Sequence, residues 1–129
     1  MAKQDEQGCA GGETLIFSCS GAADVGAVAD RAARKLDDET DMAMSCTSGI
    51  AGGVEPILQR AARADTIIAL DGCGEDCVSQ TLEQAGLQRI VRIRVTDFGL
   101  AKGENPPTDE NVEIVVNKIK EKMRVGRAK

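Results

Sequence analysis

Four short apolar runs alternate along the chain with four stretches whose apolar residues recur at helical spacing. No other feature narrows the possible folds as much. The first run is Thr14-Leu15-Ile16-Phe17-Ser18. After the Gly21 loop, Val25, Val28, Ala29, Ala32, Ala33 and Leu36 mark one face of a helix, and Asp37-Asp38-Glu39 is expected to interrupt it. Residues 42–45 form a weaker strand candidate, chosen by their place in the alternation. A second glycine loop covers residues 48–53. Pro56 then suits a first helical turn, where its missing N–H is not needed, and Ile57, Leu58, Ala61 and Ala62 supply the apolar stripe.

Thr66-Ile67-Ile68-Ala69-Leu70 is apolar almost throughout, as a central parallel strand should be. A third helix is expected at about residues 76–85, with Val78, Leu82 and Ala85 facing inward and Gly86 ending it. Residues 89–95 alternate charged and apolar side chains and read as a partly exposed strand. Residues 103–107 read as a loop. Thr108 can cap a last helix, with Asp109 and Glu110 in its first turn and Val112, Val115, Val116, Ile119 and Met123 as its buried stripe. This βα alternation predicts a single α/β domain: a three-layer (αβα), Rossmann-like architecture with a four-stranded parallel sheet and right-handed crossovers. The expected domain spans residues 13–125, between a loose N-terminal tail at 1–12 and a short C-terminal tail at 126–129.

A chain of 129 residues can bury a sizeable core. Aliphatic side chains must build it, because Phe17 and Phe98 are the only aromatics. The net charge of −5 and the lack of long Lys/Arg runs argue against nucleic acid and anionic membranes as partners. The basic stretch from Lys118 to Lys129 reads as a solvated helix face. No apolar run approaches the roughly 20 residues of a membrane span, and residues 1–12 lack the apolar segment of a signal peptide. A cytoplasmic location is expected. Thiols stay reduced there, so five cysteines point to metal or redox chemistry more than to disulfides.

Cys19 directly follows the first strand and Cys46 the second. Cys73 follows the third after Asp71-Gly72, and Cys77 lies four residues on. In a parallel sheet every βα loop emerges at the same edge, where ligands of such folds bind. Strand order 2-1-3-4 would set the three cysteine loops side by side. Each loop leads into a helix N-terminus, whose free N–H groups favour negative charge and hence the metal-binding thiolate. Cys73-x3-Cys77 has the spacing of a zinc ligand pair. With no histidine in the chain, all-sulfur ligation suits zinc first, then an iron–sulfur cluster or copper(I). Buried structural cysteine would explain Cys46. It explains Cys73 and Cys77 poorly, because they sit among Gly74, Glu75 and Asp76. Cys9 lies in the tail and reads as incidental.

Rival readings of the same loops are weaker. A cysteine-phosphatase loop starting at Cys19 needs an Arg where Val25 stands, so phosphoryl charge lacks its clamp. The loop from Gly49 to Gly53 lacks the Lys and Ser/Thr of a P-loop. Asp97-Phe98-Gly99 stands without the accompanying kinase motifs. A thiol-dependent redox or transfer enzyme is the stronger alternative, using Cys73 and Cys77 with Cys19 or Cys46. Hydrolysis at zinc would need an open position and a base. Asp71 and Asp97 follow strands and are near enough to be considered, although turn or capping roles are commoner for such residues.

Taken together, these loops resemble the DGC-domain family, whose members are regarded as zinc-binding proteins. The matching residues are Asp71-Gly72-Cys73 followed by Cys77, Cys19-Ser20-Gly21-Ala22 with Val25-Gly26, and Cys46 followed by Gly49-Ile50 and Gly52-Gly53. The likeness covers about residues 15–99. It implies four metal-directed cysteines, which map onto Cys19, Cys46, Cys73 and Cys77, and it implies no particular activity. The expectation is therefore a zinc-binding protein with a structural or metal-handling role, and with a metal ion as its first partner. A redox or metal-handling protein is the kind of protein partner such a cysteine edge would meet.

Overall fold

The computed structural model describes residues 12–19 and 21–124. Cys9, the C-terminal tail and all but the last residue of the N-terminal tail lie outside the described residues. Four strands form one sheet: β1 (Thr14–Ser18), β2 (Ala43–Met44), β3 (Thr66–Asp71) and β4 (Ile90–Arg94). Their order is β2-β1-β3-β4 and every pairing is parallel. This is the expected topology, and it puts the ends of β2, β1 and β3 next to one another. The helices are α1 (Asp24–Glu39), α2 (Thr47–Ala51), α3 (Glu55–Arg63), α4 (Cys77–Gln84) and α5 (Asp109–Lys122).

Period-two alternation in the strands divides the core into two layers. Ile16, Ile68, Leu70 and Ile93 face the cluster built by α1 and α5, through Val28, Ala32, Leu36, Val115 and Ile119 among others. Leu15, Phe17, Ile67 and Ala69 face the opposite cluster, with Ile50 of α2, Ala61 of α3, and Val78 and Leu82 of α4. Phe17, Leu15, Ile16, Ile68 and Leu70 are completely buried. Burying each such large side chain contributes about 1.5–3 kcal/mol relative to exposure. The core therefore lies on both faces of β1 and β3, the strands that lead into the Cys19 and Cys73 loops.

Local chemistry explains where the elements depart from the sequence expectation. α1 does not stop at the acidic triplet. Glu39 pairs with Lys120 at 2.9 Å, and the Asp37 carboxylate accepts the Met44 N–H at 3.0 Å, so these acids have partners on the helix surface. The helix ends one residue later, where the buried Thr40 hydroxyl donates to the Leu36 carbonyl and accepts the Met42 N–H. β2 is only two residues long, and Thr40 and Asp37 take the N–H groups of residues 42 and 44 that point away from β1. The glycine loop at 48–53 opens with the short helix α2. Beyond β4 the chain turns through one 3-10 turn, Val95–Phe98. Thr108 caps α5 as expected, its hydroxyl accepting the Asn111 N–H. No helix among the described residues is long and apolar enough to cross a membrane.

Candidate functional site

β1, β2 and β3 each deliver a cysteine-bearing loop to the C-terminal edge of the sheet. The Cys19 N–H donates to the Leu70 carbonyl at 3.1 Å, so the chain stays in register with β3 beyond the end of β1. The half-buried Cys19 packs against both apolar clusters. Ser45 N–H donates to the Ile16 carbonyl at 2.9 Å, and the Thr47 hydroxyl donates to the Ser18 carbonyl at 2.9 Å. These bonds hold the second loop against the first. Cys46 is the N-cap of α2, and its sulfur accepts the Gly49 N–H at 3.3 Å.

The Asp71-Gly72-Cys73 segment owes each residue to a separate physical need. The Asp71 carboxylate is buried and accepts the Val78 N–H at 2.7 Å, the Ser79 N–H at 3.2 Å and the Ser79 hydroxyl at 2.8 Å. It thereby satisfies the N-terminus of α4 from outside the helix, which its own N-cap, Asp76, does not do. Asp76 sits in the left-handed region at φ 56° and turns its carboxylate to Arg94, with contacts of 3.0 and 2.7 Å. The Arg94 guanidinium holds the Asp76 carboxyl below its ordinary range.

Gly72 lies against the first turn of α1. A Cβ there would meet the Cα and N of Gly26 at 2.7 Å. A Cβ on Gly26 would in turn lie 3.0 Å from the Cys19 sulfur. Two glycines thus let the backbone of the Cys73 loop cross α1 in direct contact, with the Cys19 sulfur also close to Gly26. Cys73 is half-buried against the α1/α5 cluster. Cys77 opens α4 and faces solvent.

Cys19, Cys46 and Cys77 line one cleft of about 770 Å³, together with Ser18, Ser45 and Thr47. Asp30, Arg34 and Asp37 of α1 also line it. Cys73 is not among the residues lining it. Partial burial pushes the Cys77 thiol above its ordinary pKa, and the negative charge at Cys19, Asp71, Cys73 and Glu75 adds to the rise. The helix-terminus expectation of an easily ionised thiol is therefore reversed at this position, first by desolvation and then by the acidic neighbours. Among the described residues, no group of three or more Cys, Asp or Glu side chains is drawn together closely enough to hold a metal ion.

Asp71 is a helix-capping residue. Asp97 lies in the 3-10 turn, 3.9 Å from Arg94. Both border a separate hollow of about 150 Å³, and neither lines the thiol cleft. The α1 flank of the cleft has no counterpart in the sequence expectation. Its signal is the spacing 30, 34, 37, one helical face, which a single sequence does not separate from ordinary solvated charge.

The DGC domain family model matches residues 15–119, almost the whole described structure. The chain belongs to the DGC-domain family. Its three cysteine loops are thus those of a DGC domain. The chain is also similar to the anaerobic and virulence modulator AnvM of Pseudomonas aeruginosa, with 33% identity over 88 residues, 68% of this chain and 67% of AnvM. No solved structure matches the chain significantly.

Proposed function

We propose that this DGC domain binds a metal ion, zinc by preference, through Cys19, Cys46, Cys73 and Cys77, in a structural or metal-handling role in the cytoplasm. The observation that supports this most is the convergence of Cys19, Cys46 and Cys77, from three different βα loops, on one cleft. The donor set suits a soft or borderline ion, because it is rich in sulfur and contains no imidazole. Zinc would supply a redox-inert centre there. The protein's part is to hold Cys19 and Cys46 on the sheet edge and to fix the Cys73 loop through Gly72 and Asp71. Loading requires the loops to draw in, since the thiols stand apart in the described arrangement.

The test is metal analysis of protein purified without chelator, followed by cobalt substitution. One equivalent of metal and cobalt–thiolate charge-transfer bands are expected, with bands weakened by Ser at each of the four cysteines. No bound metal together with four freely alkylated thiols would sink the proposal. Iron or copper in the metal analysis would keep the site and change the ion.

The thiol-enzyme alternative requires a cysteine that ionises easily. The upward shift of Cys77 counts against that residue as the attacking group. The name of the similar AnvM, an anaerobic and virulence modulator, is compatible with a thiol centre. Fast alkylation of one cysteine in metal-free protein at neutral pH would favour this alternative.

A further inference from the structure

The two edges of the sheet are finished differently. At the β2 edge, the Met42 and Met44 N–H groups that point away from β1 end on Thr40 and Asp37. At the other edge stands β4, with β3 on one side and, among the described residues, no strand on the other. The Ile67 N–H donates to the Arg89 carbonyl at 3.0 Å. Ile67 lies opposite Ile90, Ala69 opposite Arg92 and Asp71 opposite Arg94. This parallel register turns the N–H groups of Val91 and Ile93 toward β3 and those of Ile90, Arg92 and Arg94 away from it. These three donors, and the carbonyls of Ile90 and Arg92, have no hydrogen-bond partner among the described residues. Such an open edge is a template for another strand.

Charged side chains are the usual guard of an edge strand, but here each is matched by an acid of its own chain. Arg94 holds Asp76 at 3.0 and 2.7 Å, and Arg92 pairs with Glu83 of α4. On the opposite face of the strand, Val91 and the buried Ile93 pack on the α1/α5 cluster, and Val91 stays partly exposed.

We propose that β4 pairs antiparallel with β4 of a second copy of this chain, about a two-fold axis at Arg92, so that the two four-stranded sheets join into one. The strand is complementary to itself about that residue. The Arg92 N–H of each copy meets the Arg92 carbonyl of the other, and the Arg94 N–H meets the Ile90 carbonyl. On one face Val91 lies beside Ile93 of the second copy, an apolar cross-strand pair. On the other face each copy brings Arg92 and Glu83 to the axis, so the two arginines alternate with two glutamates. A foreign strand would have to supply all of these features, whereas a second copy has them by symmetry. The pairing uses no cysteine and no metal, and it stands apart from the metal-binding reading.

The experiment is sedimentation equilibrium of the full chain, with amide exchange followed by NMR on the same samples. A reductant keeps the exposed Cys46 and Cys77 from cross-linking. A reversible dimer is expected. Exchange at Ile90, Arg92 and Arg94 should slow as concentration rises, while Val91 and Ile93 are protected throughout. Arg92→Pro removes a donor that β3 does not use. It should weaken the dimer at least tenfold and leave the far-ultraviolet signal unchanged. Arg92→Glu sets four acids about the axis and should weaken the dimer as much, and adding Glu83→Arg should restore it. Should Arg92→Pro fail to fold, this charge exchange still decides. A chain that stays monomeric at submillimolar concentration overturns the proposal and leaves the edge to a strand of another protein. A dimer whose dissociation constant neither Arg92→Pro nor Arg92→Glu moves overturns it too, as does a double variant that stays as weak as Arg92→Glu.

Discussion

Gly72 and Asp71 do more to place the cysteine loops than their size suggests. At Gly72 any side chain must displace backbone, because its Cβ would meet the Gly26 Cα and N at 2.7 Å. Gly72→Ala should therefore destabilise the fold by about 1–3 kcal/mol, the range typical of overpacking. Gly74 is two residues away in the same loop and a Cβ there meets nothing within 4 Å. Gly74→Ala should leave the urea midpoint nearly unchanged, and equal midpoints for the two variants would refute the backbone-contact account. Asp71→Ala strands the Val78 and Ser79 donors in a buried setting. A loss of about 1–3 kcal/mol is expected from the unsatisfied groups, with Asp71→Asn intermediate because it keeps one acceptor oxygen. The sequence shows Asp-Gly-Cys as neighbours in a loop. It does not show that the glycine touches α1 or that the aspartate reaches seven residues forward to Val78, since both depend on how β3 and α1 cross.

α1 joins the site to the rest of the domain at its first residue. The Asp24 carboxylate accepts the N–H groups of Val25, Gly103 and Asn105 at 2.8, 2.8 and 3.1 Å. The Gly103 bond is the main cause that lowers its pKa below the ordinary carboxyl value, with Val25 and Asn105 adding to it against a partial desolvation. A carboxyl depressed on folding contributes stability that is complete above its unfolded pKa, near 3.9, and disappears as pH falls through the lower folded value. Amide exchange at Gly103 and Asn105, corrected for intrinsic rates, should accelerate as the pH falls below about 4, and Asp24→Asn should show that acceleration already at neutral pH. Unchanged protection across that range would refute the tether. Helix periodicity located α1 and α5 well because each buries a long apolar stripe, whereas α3 buries only Ala61 and leaves Ala62, expected in its stripe, exposed. It failed at residues 37–39, where surface acids find Lys120 and the Met44 N–H as partners, and at α2, which is too short to show a period.

Across the whole molecule, the apolar core stands apart from the proposed metal site. Both apolar clusters are built around β1 and β3, and the cysteine loops add the edge packing of Cys19, Ala23 and Cys73 and the buried Ile50 of α2. The parallel character of the sheet was legible because strand-like runs alternate with helix stripes; the sequence does not fix the strand order and favours 2-1-3-4 only because that order sets the three cysteine loops side by side. The cysteine edge was legible for the same reason, since topology alone gathers the βα loops. The α1 flank of the cleft and the spacing of the thiols were not, because they depend on side-chain placement. A metal that orders loops on a preformed core differs in its thermodynamics from one that creates the fold. Chelator-stripped protein should keep its helical far-ultraviolet signal and unfold in one cooperative transition. Zinc at a thousandfold over its dissociation constant should add about 4 kcal/mol by linkage, seen as a higher unfolding midpoint. Phe17→Ala, which opens a cavity between β1 and the α2–α4 layer, should cost about 3–5 kcal/mol in metal-free and zinc-loaded protein alike. A stripped protein without helical signal, or a Phe17→Ala penalty seen only with zinc bound, would mean that the cysteine loops and the core fold as one unit.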